Sequence, residues 1–413
     1  MRLCSGLPMP WPTQKPRAIH QRSCFCRNPH QLPETASFAN IRTVTQPSLF
    51  QAAIGGYPDS PQYAGGRFRN THPRPANSPK PDARTLWNFF FNKPADSEPR
   101  KALPVLPLST AALDAAPERS LYRLGHSTLL MKLRGGWWLT DPVFSERASP
   151  LSFAGPRRFH APPIAPAELP PLRGVLLSHD HYDHLDHATI RALAPKVGIF
   201  LCTLGVGDRL AAWGVPADKI VQHDWWQGSE VDGLRFTATP AQHFSGRGLR
   251  DGNHTLWASW VIEDLQPDQP LRVFFSGDGG YFDGFTEIGR RFGPFDLTLM
   301  ETGAYDPHWP YVHMHPAQTI QAHKDLGGRW LLPIHNGTFN LAMHAWWDPF
   351  EQILGLGHQH GIAIATPMMG ERLDLNAPQA GTPWWRACAD TATDSISPSP
   401  AGDVTRLDSR PQR

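Results

Sequence analysis

The chain has 413 residues, with 39 Lys/Arg against 37 Asp/Glu, so its formal net charge is only +2. Forty per cent hydrophobic and 18% charged residues exclude a wholly disordered chain, and no apolar run approaches the ~18 residues of a membrane-spanning helix. Five scattered cysteines exclude a disulfide scaffold, whereas 20 histidines leave nitrogen and oxygen as the natural donors for any metal.

The charge is uneven. Residues 1–85 hold 11 Lys/Arg, 3 Asp/Glu and 13 of the 43 prolines, a net of +8, which leaves −6 for the remainder. Proline removes backbone donors and blocks helices, so 1–56 is expected to be a disordered basic tail. No apolar stretch of signal-peptide length follows Met1. Residues 57–118 are expected to form an extension packed on the main domain. It contains the apolar cluster Leu86-Trp87-Asn88-Phe89-Phe90-Phe91 and a connector with Pro94, Pro99, Pro104 and Pro107.

Residues 119–376 read as the domain. Thr128–Leu133 and Trp137–Thr140 flank Gly135-Gly136, a hairpin signal. Strands are expected at Gly174–Ser178, Ile199–Thr203, Leu234–Thr239, Trp257–Ile262, Val273–Ser276, Leu297–Met300 and Leu331–Ile334. Helices are expected at Ala188–Ala194, Asp208–Trp213, Phe285–Phe292, Pro316–Leu326 and Pro349–His360, with Pro316 and Pro349 suited to first turns. Strands followed by strand–helix alternation, twice over, point to an α/β fold of sheets sandwiched by helices. Residues 377–413, rich in Pro, Ser, Thr and Asp, are expected to be a disordered tail.

The strongest signal is Ser178-His179-Asp180-His181-Tyr182-Asp183-His184-Leu185-Asp186-His187, directly after an apolar strand. Residues two apart in an extended loop point the same way, so His179 and His181 can grip one ion. Asp183 and His184, past the turn, can reach a second. A polar surface loop that happens to be rich in histidine is the plainer alternative. So many imidazoles and carboxylates on one turn are hard to satisfy together without a metal, and zinc accepts this donor mixture. His243, Asp278 and His335 each follow an apolar strand in the same way and complete a coherent ligand set. Cys202 sits inside an apolar run and reads as core.

The His-x-His-x-Asp-His loop with the later His, Asp and His resembles the metallo-β-lactamase superfamily, which implies a four-layer αβ/βα sandwich of two mixed sheets flanked by helices. Leu124-Gly125-His126-Ser127-Thr128, Leu139-Thr140-Asp141-Pro142-Val143-Phe144, Phe159, Pro240-Ala241-Gln242-His243, Ser276-Gly277-Asp278-Gly279-Gly280-Tyr281 and Ile334-His335-Asn336-Gly337-Thr338-Phe339 resemble one branch more closely. That branch contains N-acyl-phosphatidylethanolamine-hydrolysing phospholipase D and its bacterial relatives. Tyr63-Ala64-Gly65-Gly66-Arg67-Phe68-Arg69-Asn70 looks like the branch's N-terminal segment.

The resemblance implies two zinc ions. His179, His181 and His243 would hold one, Asp183, His184 and His335 the other, and Asp278 would bridge them. Asp183, Asp278 and His313 form the implied catalytic set, with His313, His315, Tyr281 and Phe339 implied at the substrate. His315 departs from the branch's usual Asp or Asn before the proline, so His313 and His315 are both open as the residue facing the site. Asp180 is read as orienting a ligand histidine, and His126 and Asp141 as loop supports. The implied activity is zinc-dependent hydrolysis of an N-acyl phosphatidylethanolamine-like phospholipid. Lactone opening, other phosphodiester cleavage, or a non-catalytic metal-holding module are the alternatives. The expected partner is an anionic ester at a membrane surface, not nucleic acid, given the −6 balance outside the tail. A dimer is one open assembly, and a cytoplasmic location with peripheral membrane contact is expected.

Overall fold

The computed structural model describes residues 41–43, 57–73, 78 and 82–389. Two large mixed sheets form its centre. The seven-stranded sheet runs in the order Arg372–Asp374, Ser120–Arg123, Leu129–Leu133, Gly136–Thr140, Leu172–Leu176, Val197–Thr203, Ile220–His223. Its first four strands pair antiparallel, and Gly136–Thr140 onward pair parallel. The eight-stranded sheet runs Ile41–Thr43, Gly228–Val231, Leu234–Thr239, Ser259–Asp264, Leu271–Phe275, Phe295–Glu301, Gly328–Ile334, Ala363–Ile364. It too is antiparallel up to Leu271–Phe275 and parallel beyond.

The parallel halves follow from the connections. A parallel step needs a crossover, and the sequence supplies helices there: His187–Leu193, Val206–Ala212, Gly284–Phe292, Pro316–Asp325 and Asp348–His360. The antiparallel halves use short turns. Arg134 and Gly135 both take positive φ (53° and 73°), as a two-residue hairpin between Leu133 and Gly136 requires. Trp138, Leu201, Phe236, Trp260, Phe275, Leu297 and Leu332 belong to one buried cluster that joins the two sheets. A second cluster packs Ile190, Leu193, Val206 and Leu210 onto the seven-stranded sheet, and a third packs Phe285, Ile288, Ile320 and Ile353 onto the other. The result is the expected four-layer α/β sandwich.

Two expected tails are corrected in part. Ile41–Thr43 pairs antiparallel with Gly228–Val231 as an edge strand. Residues 377–389 also pack: Trp384 and Trp385 are buried against Trp346 and Phe350, and Glu351 binds Arg386. Burying two tryptophans outweighs the ordering cost that the surrounding polar composition suggests. The remainder of both expected tails lies outside the described residues. In the extension, Ala83–Phe91 is a helix capped by Asp82, whose carboxylate accepts from Thr85 N at 2.7 Å.

Candidate metal centre

The site gathers where strands of both sheets end. The chain leaves Leu172–Leu176 into the His179–His184 loop, Leu234–Thr239 into His243, Leu271–Phe275 into Asp278, and Gly328–Ile334 into His335. Gly277, with φ +56°, lets that turn approach Ser178; a Cβ there would lie 2.6 Å from the Ser178 Cβ. His335 itself holds φ +64°, an unusual value for a non-glycine residue. Its backbone N–H donates to the His126 carbonyl at 3.0 Å, and Arg123 binds the next carbonyl, Asn336, at 3.0 Å.

Three imidazole nitrogens converge in the first group. His181 Nδ1 lies 2.9 Å from His179 Nε2 and 3.2 Å from His243 Nε2. The far nitrogens of two rings are already bound: His179 Nδ1 to Ser178 Oγ at 2.9 Å and His243 Nδ1 to the Val312 carbonyl at 3.1 Å. This leaves both Nε2 atoms with their lone pairs aimed inward. Burial, with the neighbouring imidazoles adding to it, holds the His179 and His243 rings well below their ordinary pKa, so they stay neutral.

The second group contains Asp183, His184 and His335. Asp183 Oδ2 lies 3.5 Å from His184 Nε2 and 3.2 Å from His335 Nε2. Asp278 stands between the groups. Its Oδ2 is 3.8 Å from both His179 Nε2 and His243 Nε2 and 3.0 Å from His335 Nε2, and its Oδ1 is 3.0 Å from His184 Nε2. Burial opposes charge on His335, but Asp278 and Asp183 outweigh it and lift the imidazole to about 10; His184 is raised well above its usual value in the same way. Burial likewise opposes charge on Asp183 and Asp278, and the histidines beside them overturn it and hold both carboxyls well below the usual range.

Asp141 ties the two groups together. Its Oδ2 accepts from His184 Nδ1 at 2.7 Å and Ser178 Oγ at 2.5 Å, and its Oδ1 accepts from Ser178 N at 2.8 Å. Burial pushes its carboxyl up, and the bonds from His184 and Ser178 oppose that. The expected loop support thus supports two candidate ligand histidines, His184 directly and His179 through Ser178. Asp180, read as orienting a histidine, does something else: its carboxylate faces Arg209 Nε at 2.8 Å and accepts from Gly246 N at 2.8 Å. His126 comes closer than a loop support would, with Nε2 3.1 Å from Asp183 Oδ2, and burial pushes it down to about 3.

His313 and His315 separate. His313 offers a ring nitrogen within 4.8 Å of donor atoms of Asp278 and His335, and its Nδ1 bonds the fully buried Glu301 at 3.1 Å. Glu301 also accepts from Met314 N at 3.0 Å. His315 lies instead against the Tyr305 ring, with centroids 5.1 Å apart. The Tyr281 hydroxyl donates to Asp325 at 2.6 Å, outside both donor groups. Phe339 sits over the second group, 5.3 Å from the His126 ring, with the Arg158 guanidinium 5.7 Å from its centroid. Glu301 escaped the sequence reading, although it closes an apolar strand as the proposed ligands do.

The donor set suits borderline divalent cations. Each group offers three imidazole or carboxylate atoms within 4.8 Å of one another, with Asp278 in the first group and His126 beside the second. His184 Nε2 and Asp278 Oδ1 are buried at its centre 3.0 Å apart without a well-aligned hydrogen bond, an ion pair whose proton a divalent cation could replace.

A sequence family described as "Beta-lactamase superfamily domain" matches residues 136–336. An uncharacterized protein of Mycobacterium tuberculosis is 42% identical over 85% of this chain and 91% of its own length. N-acyl-phosphatidylethanolamine-hydrolyzing phospholipase D 1 of Caenorhabditis elegans is 38% identical over 52% of this chain and 63% of its own. Among solved structures, a possible metal-dependent hydrolase from Veillonella parvula superposes with TM-score 0.50 at 15% identity, over 62% of this chain and all of that one. The chain therefore belongs to the beta-lactamase superfamily and has the metallo-β-lactamase fold.

Proposed function

We infer that the chain is a binuclear, zinc-dependent phosphodiesterase of phospholipase D type, acting on N-acyl phosphatidylethanolamine-like lipids. The observation that carries this reading is the placement of the Glu301–His313 pair beside two donor groups that share Asp278. The similarity to the nematode phospholipase D supports the lipid class. When bound, two divalent cations supply charge to polarise phosphoryl oxygens and to acidify water.

The chain's own residues do the rest. Asp183 and Asp278 offset part of the cationic charge, and the neutral histidines none, so the centre remains attractive to a phosphodiester anion. Glu301 holds the Nδ1 proton of His313, so a His313 that also carries a proton on Nε2 can hand that proton to the departing alcohol oxygen, while a water oxygen bonds to phosphorus, gives up its own proton, and the phosphorus–oxygen bond to the alcohol breaks. His126 and Phe339 cover the second group and exclude water from one side. Access from a lipid surface is supported by Ala83–Phe91, where Trp87 and Phe91 are 62% and 72% exposed. Phe89 of the same helix packs edge-on against Trp309, four residues before His313. Among the described residues no helix is long and apolar enough to cross a membrane.

The test is direct. Zinc-loaded protein given N-acyl phosphatidylethanolamine in mixed micelles should release phosphatidic acid and the N-acyl ethanolamine. His181→Ala or a chelator should abolish both products. Intact lipid, together with cleavage of a lactone or an unrelated diester, would overturn the lipid assignment.

A further inference from the structure

The segment Tyr63-Ala64-Gly65-Gly66-Arg67-Phe68-Arg69-Asn70 lies before the matched family region at 136–336, and the chemistry above gives it no part. It is nevertheless bound to the first donor group. Tyr63–Ala64 and Arg67–Phe68 form a tight hairpin. Phe68 is completely buried between the Tyr57 and Tyr63 rings, at 5.5 and 4.9 Å, and its N–H donates to the Asn253 carbonyl at 2.8 Å. Two residues on, Asn70 reaches His243.

One side chain takes both main-chain polar groups of that histidine. Asn70 Nδ2 donates to the His243 carbonyl at 2.8 Å, and Asn70 Oδ1 accepts from His243 N at 3.1 Å. The same Oδ1 accepts from the indole N–H of the buried Trp257 at 2.9 Å, which fixes the amide's orientation. The His72 carbonyl accepts from the side chain of Gln242 at 2.9 Å. His243 stands four residues beyond the end of its strand, Leu234–Thr239, next to the isolated Gln242–Gly280 bridge, and its own N–H and carbonyl belong to no ladder. Asn70 replaces the missing ladder with the donor–acceptor pair a neighbouring strand would offer.

We propose that Asn70 is a positioning residue that sets the metal affinity of the His179–His181–His243 group and leaves the Asp183–His184–His335 group unaffected. The segment 57–73 is then part of the metal centre in function, although it contributes no ligand atom. The His243 ring is oriented by the Val312 carbonyl, but its Cα is held by Asn70. Releasing the Cα lets Nε2 drift from the point where it meets His179 and His181. Partners one step removed from a metal typically set affinity by about 10- to 100-fold.

This inference rests on the two-metal reading of the site, and a binding measurement separates the two. The full-length metal-free chain is titrated with zinc against a chromophoric chelator, for wild type, Asn70→Ala and Asn70→Asp. The aspartate is isosteric, so it leaves no void; it keeps the acceptor and sets an oxygen against the His243 carbonyl. Two tight equivalents are expected for wild type. Both variants should hold one equivalent as tightly as wild type and the other about 10- to 100-fold more weakly. A general loosening of the fold would weaken both equivalents alike, and that result would overturn the proposal. Variants that keep both equivalents at wild-type affinity would overturn it too, with the two-metal reading intact. A wild-type chain that takes up no zinc would end both.

Discussion

Asp141→Asn is the perturbation with the most specific expected outcome, because Asp141 sets the protonation of one histidine in each donor group. His184 Nδ1 and Ser178 Oγ both donate to Oδ2, at 2.7 and 2.5 Å. The single hydroxyl proton of Ser178 is thereby committed, so its oxygen accepts from His179 Nδ1 at 2.9 Å. His179 is left with Nε2 unprotonated and facing inward, and His184 reaches the same tautomer once a bound cation displaces the second proton it carries in the metal-free chain. An asparagine that keeps its oxygen toward Ser178 N presents an NH₂ group to His184 and Ser178 instead. His184 must then carry its proton on Nε2, and the reversed serine hydroxyl drives His179 the same way. Flipping the amide restores the tautomers but sets NH₂ against Ser178 N–H. Backbone strain is not a complication, since asparagine tolerates the φ of +31° that Asp141 adopts. Losing a buried charge-assisted hydrogen bond costs about 1.5–3 kcal/mol, or ~10- to 150-fold in affinity at the His184 group. The relayed neutral bond to His179 is worth about 0.5–1.5 kcal/mol, or ~2- to 10-fold. Zinc competition titration reads both. The expected result is a loss in both equivalents, larger in one. Wild-type affinity for both, within about twofold, would refute the tautomer argument.

Three further outcomes follow from the same geometry. Glu301→Gln should lower kcat by about 10²- to 10⁴-fold with metal content unchanged, because His313 loses the carboxylate that holds its Nδ1 proton; steady-state kinetics with metal analysis of the same sample reads this, and an unchanged kcat contradicts it. Metal uptake near neutral pH should release protons, because His184 and His335 are raised and charged in the metal-free chain while Asp183 and Asp278 are already ionised. Apparent affinity should then rise with pH by about one decade per unit for each proton displaced, and calorimetry in two buffers of different ionisation enthalpy would expose a result of no release. Trp385→Ala should destabilise the fold by about 3–5 kcal/mol in urea unfolding, since Trp385 is fully buried, stacks on Phe350 at 4.8 Å and donates to Glu351 at 2.6 Å; a change under about 1 kcal/mol would mean that the C-terminal segment does not pack as described.

What was readable in the sequence, and what was not, divides on physical lines. The strands around Val175, Leu201, Phe236, Phe274, Leu299 and Leu332 announce themselves as apolar runs because both of their faces are covered. Gly228–Val231 reads Gly-Ser-Glu-Val and carries no such run, so only its pairing with Leu234–Thr239 reveals it. Ligand candidates were visible because they share a position just past a strand and sit in or near a dense motif. Glu301 shares that position, yet a glutamate after an apolar run looks like the point where a strand meets solvent; its burial comes from His313 and Met314, which arrive from a later loop. Asp180 departs from its expected role for the converse reason. It stands beside His179 and His181 in sequence, but its partner Arg209 is on the helix Val206–Ala212. Asn70 and His243 are 173 positions apart, so no spacing or periodicity connects them. Trp384-Trp385 was hidden by the polar, proline-rich residues around it, because composition averages over a window and two buried rings do not.

The central claim is that this fold assembles two adjacent cation sites around Asp278 and uses them for hydrolysis. The most direct measurement is elemental analysis of the full-length chain after zinc loading and exhaustive dialysis, paired with hydrolysis of a generic phosphodiester by the same sample. Two zinc ions per chain, falling to none with loss of activity on chelation, is the result expected. Fewer than one ion per chain, or diester cleavage that survives complete removal of metal, would contradict it.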